Sequence, residues 1–161
     1  MKSFAAFAAA AIVSVFSASV ASAQSPSEQF GFGVSAGDGM VGGHAAYAIT
    51  PAFHIGTQLG LIVSDGNNQF VLAPYGKFLF SGPKELKPYL WAQFGIATGQ
   101  AQGTGTGTRT GLAIGGGAEY FATPNVGIFG QIAVLDLGFG DFSYTNFGLL
   151  SPRVGIEWFL D

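Results

Sequence analysis

The chain has no cysteine and few charges, and past residue 23 no apolar run long enough to cross a membrane as a helix. The missing cysteine excludes a disulfide framework and a lipid-modified cysteine after a leader. Charged side chains make up 9% of the chain while mean hydropathy is +0.41, a balance that leaves a soluble domain little to keep it in solution. With Lys2 set aside, five basic and nine acidic side chains give a net charge of −4 and no basic patch, which argues against nucleic acid as a partner. What remains is a series of short apolar segments with alternating polarity, broken by Gly, Pro, Asn and Asp. A membrane-spanning β-barrel needs that distribution, because only one face of each strand meets lipid.

The first 23 residues read as a cleaved secretory signal: Lys2, then the apolar run Phe4–Phe16, then the small residues Ala21-Ser22-Ala23. The run is short of the roughly 20 residues a spanning helix requires. The expected mature chain, 24–161, is one domain, with no room for a second, peptidoglycan-binding unit.

Seven turn signals divide this part into eight segments. They are Gly37-Asp38-Gly39, Thr50-Pro51, Asp65 to Asn68, Ser81-Gly82-Pro83, the Gly/Thr tract 103–107, Thr123-Pro124-Asn125 and Gly138 to Asn146. Strands are expected over 29–37, 41–49, 53–63, 69–80, 87–98, 109–121, 126–138 and 147–160. Most match the roughly 9–11 residues of a tilted spanning strand, and an even number returns the chain to its starting side. The fold class is therefore all-β, an eight-stranded antiparallel up-and-down transmembrane barrel. Two turns resemble each other, Tyr47 to Ile55 and Tyr120 to Ile128, sharing Tyr, Thr, Pro and Ile. Both fall on the expected periplasmic side. Pro74 lies inside the fourth strand, where its missing N–H predicts a bulge or a later strand start.

Aromatics crowd the strand ends. Phe30, Phe32, Tyr47, Phe53, Phe78, Phe80, Tyr89, Trp91, Tyr120, Phe121, Trp158 and Phe159 lie near the periplasmic turns, and Phe70, Phe139, Phe142, Tyr144 and Phe147 near the other rim. Tyr47, Tyr120 and Trp158 are the leading candidates for an interfacial girdle. Strand parity places Val154, Ile156, Trp158 and Leu160 outward, with Phe53, Ile55, Leu59, Leu61, Phe70, Leu72, Phe78, Leu112 and Ile114. The same parity gathers the mid-strand charges Lys77, Glu119, Arg153 and Glu157 on the inner face, beside His44, His54, Gln58, Gln93 and Gln131. An Arg or Lys on lipid costs about 2–4 kcal/mol at the midplane, so the inside is the favourable place. The expectation is a network in which Lys77 and Arg153 satisfy Glu119 and Glu157. Inward glycines such as Gly31, Gly56 and Gly117 leave room for Tyr75, Trp91, Phe129 and Phe159.

On these segments the chain resembles the eight-stranded outer-membrane β-barrel family, which includes the transmembrane domain of outer membrane protein A, outer membrane protein X and the opacity-type adhesins. The resemblance covers residues 26–161 and is carried by Lys87 to Ile96, Gly116 to Phe121 and the ending Arg153 to Asp161. It implies assembly by periplasmic chaperones and the outer-membrane insertion machinery, contact with outer-membrane lipid and lipopolysaccharide, and a monomer in the outer membrane of a Gram-negative cell. The family's last strand ends in an aromatic; here Leu160 and Asp161 follow Phe159. A paired lumenal charge network is also a family feature, and Lys77, Glu119, Arg153 and Glu157 look like a version of it.

Enzymatic readings find little footing. The lipid A deacylase pattern His-x-Ser-Asn is absent, since His44 is followed by Ala45-Ala46-Tyr47 and His54 by Ile55-Gly56-Thr57. No third ligand spacing completes a two-histidine metal pair, and both histidines are expected as satisfied lumenal residues. Gly115-Gly116-Gly117 precedes no helix and is no phosphate loop. The expectation is a non-enzymatic barrel without cofactor, an anchor or surface-interaction protein with a filled lumen. Its external loops lie near 37–41, 64–69, 98–110 and 137–146. A narrow channel is the first alternative and a lipid-modifying enzyme the second; no motif specifies an extracellular partner.

Overall fold

The structure, a computed structural model, describes residues 25–37, 39–64, 67–101, 105–139 and 144–160. The expected leader, turn residues Asp38, Asp65 and Gly66, Asp141 and Phe142, and the terminal Asp161 lie outside the described residues.

Eight strands follow one another: β1 (Gln29–Gly37), β2 (Met40–Thr50), β3 (Phe53–Ser64), β4 (Asn67–Leu79), β5 (Leu86–Ala101), β6 (Gly105–Thr123), β7 (Val126–Phe139) and β8 (Tyr144–Phe159). Each pairs antiparallel with its sequence neighbour, and β1 closes onto β8, so the sheet is a closed barrel. Closure removes the edges that would otherwise leave backbone groups unsatisfied in lipid. The strand number and order agree with the sequence pattern. Several strands run longer than expected: Gly105–Gly107 of the Gly/Thr tract continue the β5–β6 ladder opposite Gly99–Ala101, and Tyr144–Asn146 pair with Gly138–Asp136. Composition alone suggested flexible loop there, but the cross-strand partners hold these residues in register.

The burial pattern is inverted relative to a soluble protein. Along β1 exposure alternates strictly, with Phe30, Phe32 and Val34 at 67%, 50% and 55%. Leu59, Leu61, Phe70, Phe78, Val154 and Leu160 are exposed as the parity required, while Lys77, Glu119 and Glu157 are buried. Phe30 packs on Tyr47 at 4.6 Å and Phe32 stacks on Trp158 at 5.9 Å, forming one aromatic rim. Phe147 lies eleven residues from Trp158 along β8, on the order of 25 Å along the axis for tilted strands. That matches the apolar band of an outer-membrane barrel. Two of the rim aromatics, Tyr89 and Phe121, turn the other way and are buried in the lumen, beside Trp91 and Phe159, which are expected there as fillers of the glycine space. Their proximity to the turns was legible, but each has the inward parity of its strand.

Local devices account for the turns. Thr50 Oγ1 accepts hydrogen bonds from the Ala52 and Phe53 N–H groups, and Thr123 Oγ1 accepts from the Asn125 N–H. The two similar turns thus share a hydroxyl clasp, in the manner of a Ser/Thr turn. Pro74 produces neither a bulge nor a late start: it pairs with Thr57 inside a continuous β4. The β4–β5 ladder drops Ala73 and Pro74 and resumes at Tyr75 in unchanged register. A lost donor interrupts the ladder on one side only, and the flanking pairs hold the strand straight. Bulges occur elsewhere, including two register shifts between β7 and β8.

Candidate functional site in the barrel lumen

The inner ends of β4, β6 and β8 converge on one ammonium. Lys77 Nζ donates to Glu119 Oε2 and to Glu157 Oε2, each at 2.8 Å, with all three side chains at most 4% exposed. The same Nζ lies 5.4 Å from the ring centroids of Tyr89 and Phe129, so the charge also meets two π faces. Glu157 also accepts from the Tyr75 hydroxyl at 3.3 Å, and His44 Nε2 lies 3.0 Å from its Oε1 without a hydrogen bond of good geometry. A buried carboxylate needs this number of partners to be tolerated away from water.

Arg153 sits on the opposite side of this layer and donates to Gln58 and to Gln93, the latter at 3.3 Å. Within the expected network, Lys77 bridges both glutamates. Arg153 is four residues before Glu157 on β8, which sets it well above the carboxylates along the barrel and beside the glutamines. Gln58 also donates to Ser35 Oγ at 2.8 Å, and Tyr89 donates to Gln131 Oε1 at 3.0 Å. All five predicted lumenal polar residues thus face inward. Ser35, Tyr75 and Tyr89 join them as members that charge alone did not single out, although each has inward parity.

His54 departs from the satisfied state expected of it. It is fully buried, edge-on to Phe159 at 5.5 Å, and neither ring nitrogen makes a hydrogen bond of good geometry with the described residues. Its ligand atoms and those of Glu119 and Glu157 lie within 4.8 Å of one another. Spacing in the sequence could not reveal this trio, because its members come from three strands. Lys77 already sits against both carboxylates, so a resident cation occupies the place beside them.

Glycines make the space for this crowding. A Cβ on Gly31 would meet the Phe159 ring at 2.9 Å, and one on Gly117 the Tyr89 ring at 2.6 Å. Gly155 gives the same clearance to Phe129. The central cavity left beside Ser35, His44, Lys77 and Arg153 measures only about 20 Å³, room for about one water. Nearer the β1–β2, β3–β4 and β5–β6 turns a second cavity of about 140 Å³ opens. Trp91, Gln93 and Arg153 border both cavities. The predicted girdle residues lie outside this lumen: Trp158 is exposed, while Tyr47 and Tyr120 are half-buried.

Closed eight-stranded antiparallel architecture, an apolar exterior and a buried charged interior define the transmembrane β-barrel class. No family model matches the sequence, and no curated protein sequence matches it. Among solved structures, the chain is similar to the N-terminal β-barrel domain of Pseudomonas aeruginosa OprF, with a TM-score of 0.64 and 17% identity over 83% of this chain and 98% of that one. It is also similar to Neisserial surface protein A, with a TM-score of 0.53 and 15% identity over 81% and 94% of the two chains. The designed barrel TMB2.3 aligns with a TM-score of 0.50 and 16% identity over 83% and 95%. What is shared with them is the fold.

Proposed function

We propose that the chain is an outer-membrane barrel whose lumen is sealed: a non-enzymatic, monomeric anchor that holds its external turns at the cell surface. The single observation behind this reading is the Lys77–Glu119–Glu157 layer, buried and backed by Tyr89, Phe129, Phe121 and Phe159, with about 20 Å³ of free space beside it. An eight-stranded barrel is just wide enough to be filled by its own side chains, and this one is filled across its section. The apolar exterior suits lipid and the acyl part of lipopolysaccharide, and delivery would run through the leader, periplasmic chaperones and the insertion machinery.

The ingredients of an acyl-transfer triad do border the central cavity, as Ser35, His44 and Glu157. Ser35 Oγ, however, is engaged by Gln58, and His44 Nε2 faces Glu157. About one water's worth of space admits no acyl substrate. Planar-bilayer recording tests the sealed reading. Purified folded protein should add no stable unitary conductance at moderate voltage; regular steps from the unaltered chain would favour the channel alternative.

A further inference from the structure

The barrel rim is uneven. β1 pairs with β8 over only six residue pairs, from Gly31↔Phe159 to Ala36↔Val154, and turns back into β2 at Gly37↔Met40. β8 continues beyond this to Tyr144, paired with β7 alone. Its upper edge, 144–151, has no ladder partner on the β1 side among the described residues. Allowing for two bulges, about six residues of strand rise above the β1–β2 turn, on the order of 15 Å at normal rise and tilt. Phe147 and Leu149 on that segment are 81% and 82% exposed, and Val41 and Val63 across the gap 63% and 70%. Lipid-facing side chains flank the gap, so it opens sideways, within the outer part of the apolar band. β8 is also bent here: Ser151 adopts φ +47°, a left-handed conformation that a non-glycine residue takes at some cost.

The larger cavity lies directly behind this gap. Met40 and Ser151, on its two sides, both line the cavity. One wall is apolar: Met40, Val71 and Ala97 form a buried cluster with Ile62 against it. Polar groups complete the lining: Arg109 on β6, beside Ala97 of that cluster, with Asp136 on β7 and Arg153 on β8, each already engaged with neighbours, two guanidinium groups to one carboxylate among the described lining. Trp91 and Gln93 floor it. A Cβ on Gly95, which also lines the cavity, would meet nothing within 4 Å. The volume of about 140 Å³ would hold on the order of ten waters, enough for a head group and the first carbons of one chain.

We propose that this vestibule is a binding site for a single-chain fatty carboxylate, which enters sideways over the low β1–β2 rim with its head against Arg109 and Arg153 and its tail along Met40, Ile62 and Val71. The amphipathic walls match that chemistry: the anion joins the charge-assisted network, and the chain runs out toward the lipid from which it came. The site rests on the membrane reading of the exterior but not on the lumen being sealed below it.

Trp91 and Trp158 are the two tryptophans of the chain, so Trp158→Phe leaves Trp91 as the reporter at the floor of the site. Palmitate brominated beside its carboxylate, added to this variant in nonionic detergent, should quench Trp91 saturably and be displaced by plain palmitate. The matching brominated alcohol and a short brominated carboxylate should quench far less. Arg109→Gln should weaken quenching about tenfold, the scale of one charge-assisted hydrogen bond, and Gly95→Leu, which fills open space, should abolish it. A heat-shift gel checks that each variant is folded, and a persistent shift also supports the membrane reading separately. Equal quenching by acid and alcohol, or a folded Gly95→Leu that binds normally, would overturn the proposal and mean partition into the micelle only.

Discussion

Lys77→Met is the perturbation that bears hardest on the lumenal layer. The ammonium is the shared partner of two carboxylates, each 2.8 Å away, with side chains of Glu119 and Glu157 0% and 2% exposed. Removing one partner of a buried pair costs about 3–5 kcal/mol, because the other charge stays desolvated. Here two acids lose the same cation, and only Glu157 keeps others, Tyr75 and His44. The expected loss is therefore at the upper end of that range. A neutral set, Lys77→Met with Glu119→Gln and Glu157→Gln, should recover most of it, since the penalty lies in uncompensated charge and not in lost volume. Glu119→Gln alone should be milder, about 1–3 kcal/mol, because Lys77 keeps Glu157. Reversible urea unfolding in lipid vesicles, followed by tryptophan emission, gives these differences. If Lys77→Met fell within about 0.5 kcal/mol of the parent, or the triple variant were no better than the single, the layer would not be an electrostatic unit.

Other outcomes follow from the same geometry. Leu59→Arg, whose cross-strand partner is the equally outward Leu72, should destabilise the barrel by about 2–4 kcal/mol, and Phe80→Arg near the rim by about 0–1; equal effects in the same unfolding assay would remove the depth argument. Gly117→Ala should crowd the Gly130 carbonyl oxygen of β7, drive Tyr89 off Gln131 and cost about 1–3 kcal/mol of overpacking, measured likewise, whereas Gly95→Ala should be near neutral. Thr50→Val should loosen the β2–β3 turn by about 0.5–1.5 kcal/mol through loss of two backbone-to-hydroxyl hydrogen bonds, with faster amide exchange confined to Ala52 and Phe53.

Strand count, order and facing were legible because period-2 alternation is a local signal that lipid enforces residue by residue. Val154, Ile156 and Trp158 declare the outer face of β8, and Glu157 can then only be inside. Which charge meets which was not legible. Lys77 is 42 residues from Glu119 and 80 from Glu157, and the three lie on β4, β6 and β8, two to four places apart around the barrel, so their meeting depends on register and shear. Arg153 has the right charge and parity for a glutamate partner, yet its height on β8 sends it to Gln58 and Gln93. Tyr89 and Phe121 lie near turns yet follow the inward parity of their strands, so nearness to a turn is a weaker guide to facing than parity. The Gly/Thr residues 105–107 read as loop by composition, because pairing with Gly99–Ala101 is decided by the partner strand. The low rim at β1–β2 could have been suspected from the shortest strands, but its meaning needed the cavity behind it.

The central claim is that these strands close in a membrane with their apolar side chains outward. Outer-membrane fractionation of cells expressing the full chain, followed by SDS gels with and without boiling, tests it most directly. The account predicts that the chain stays with the outer membrane and runs as a compact band that shifts on heating. A protein that remained soluble without detergent and showed no heat-dependent shift would contradict it.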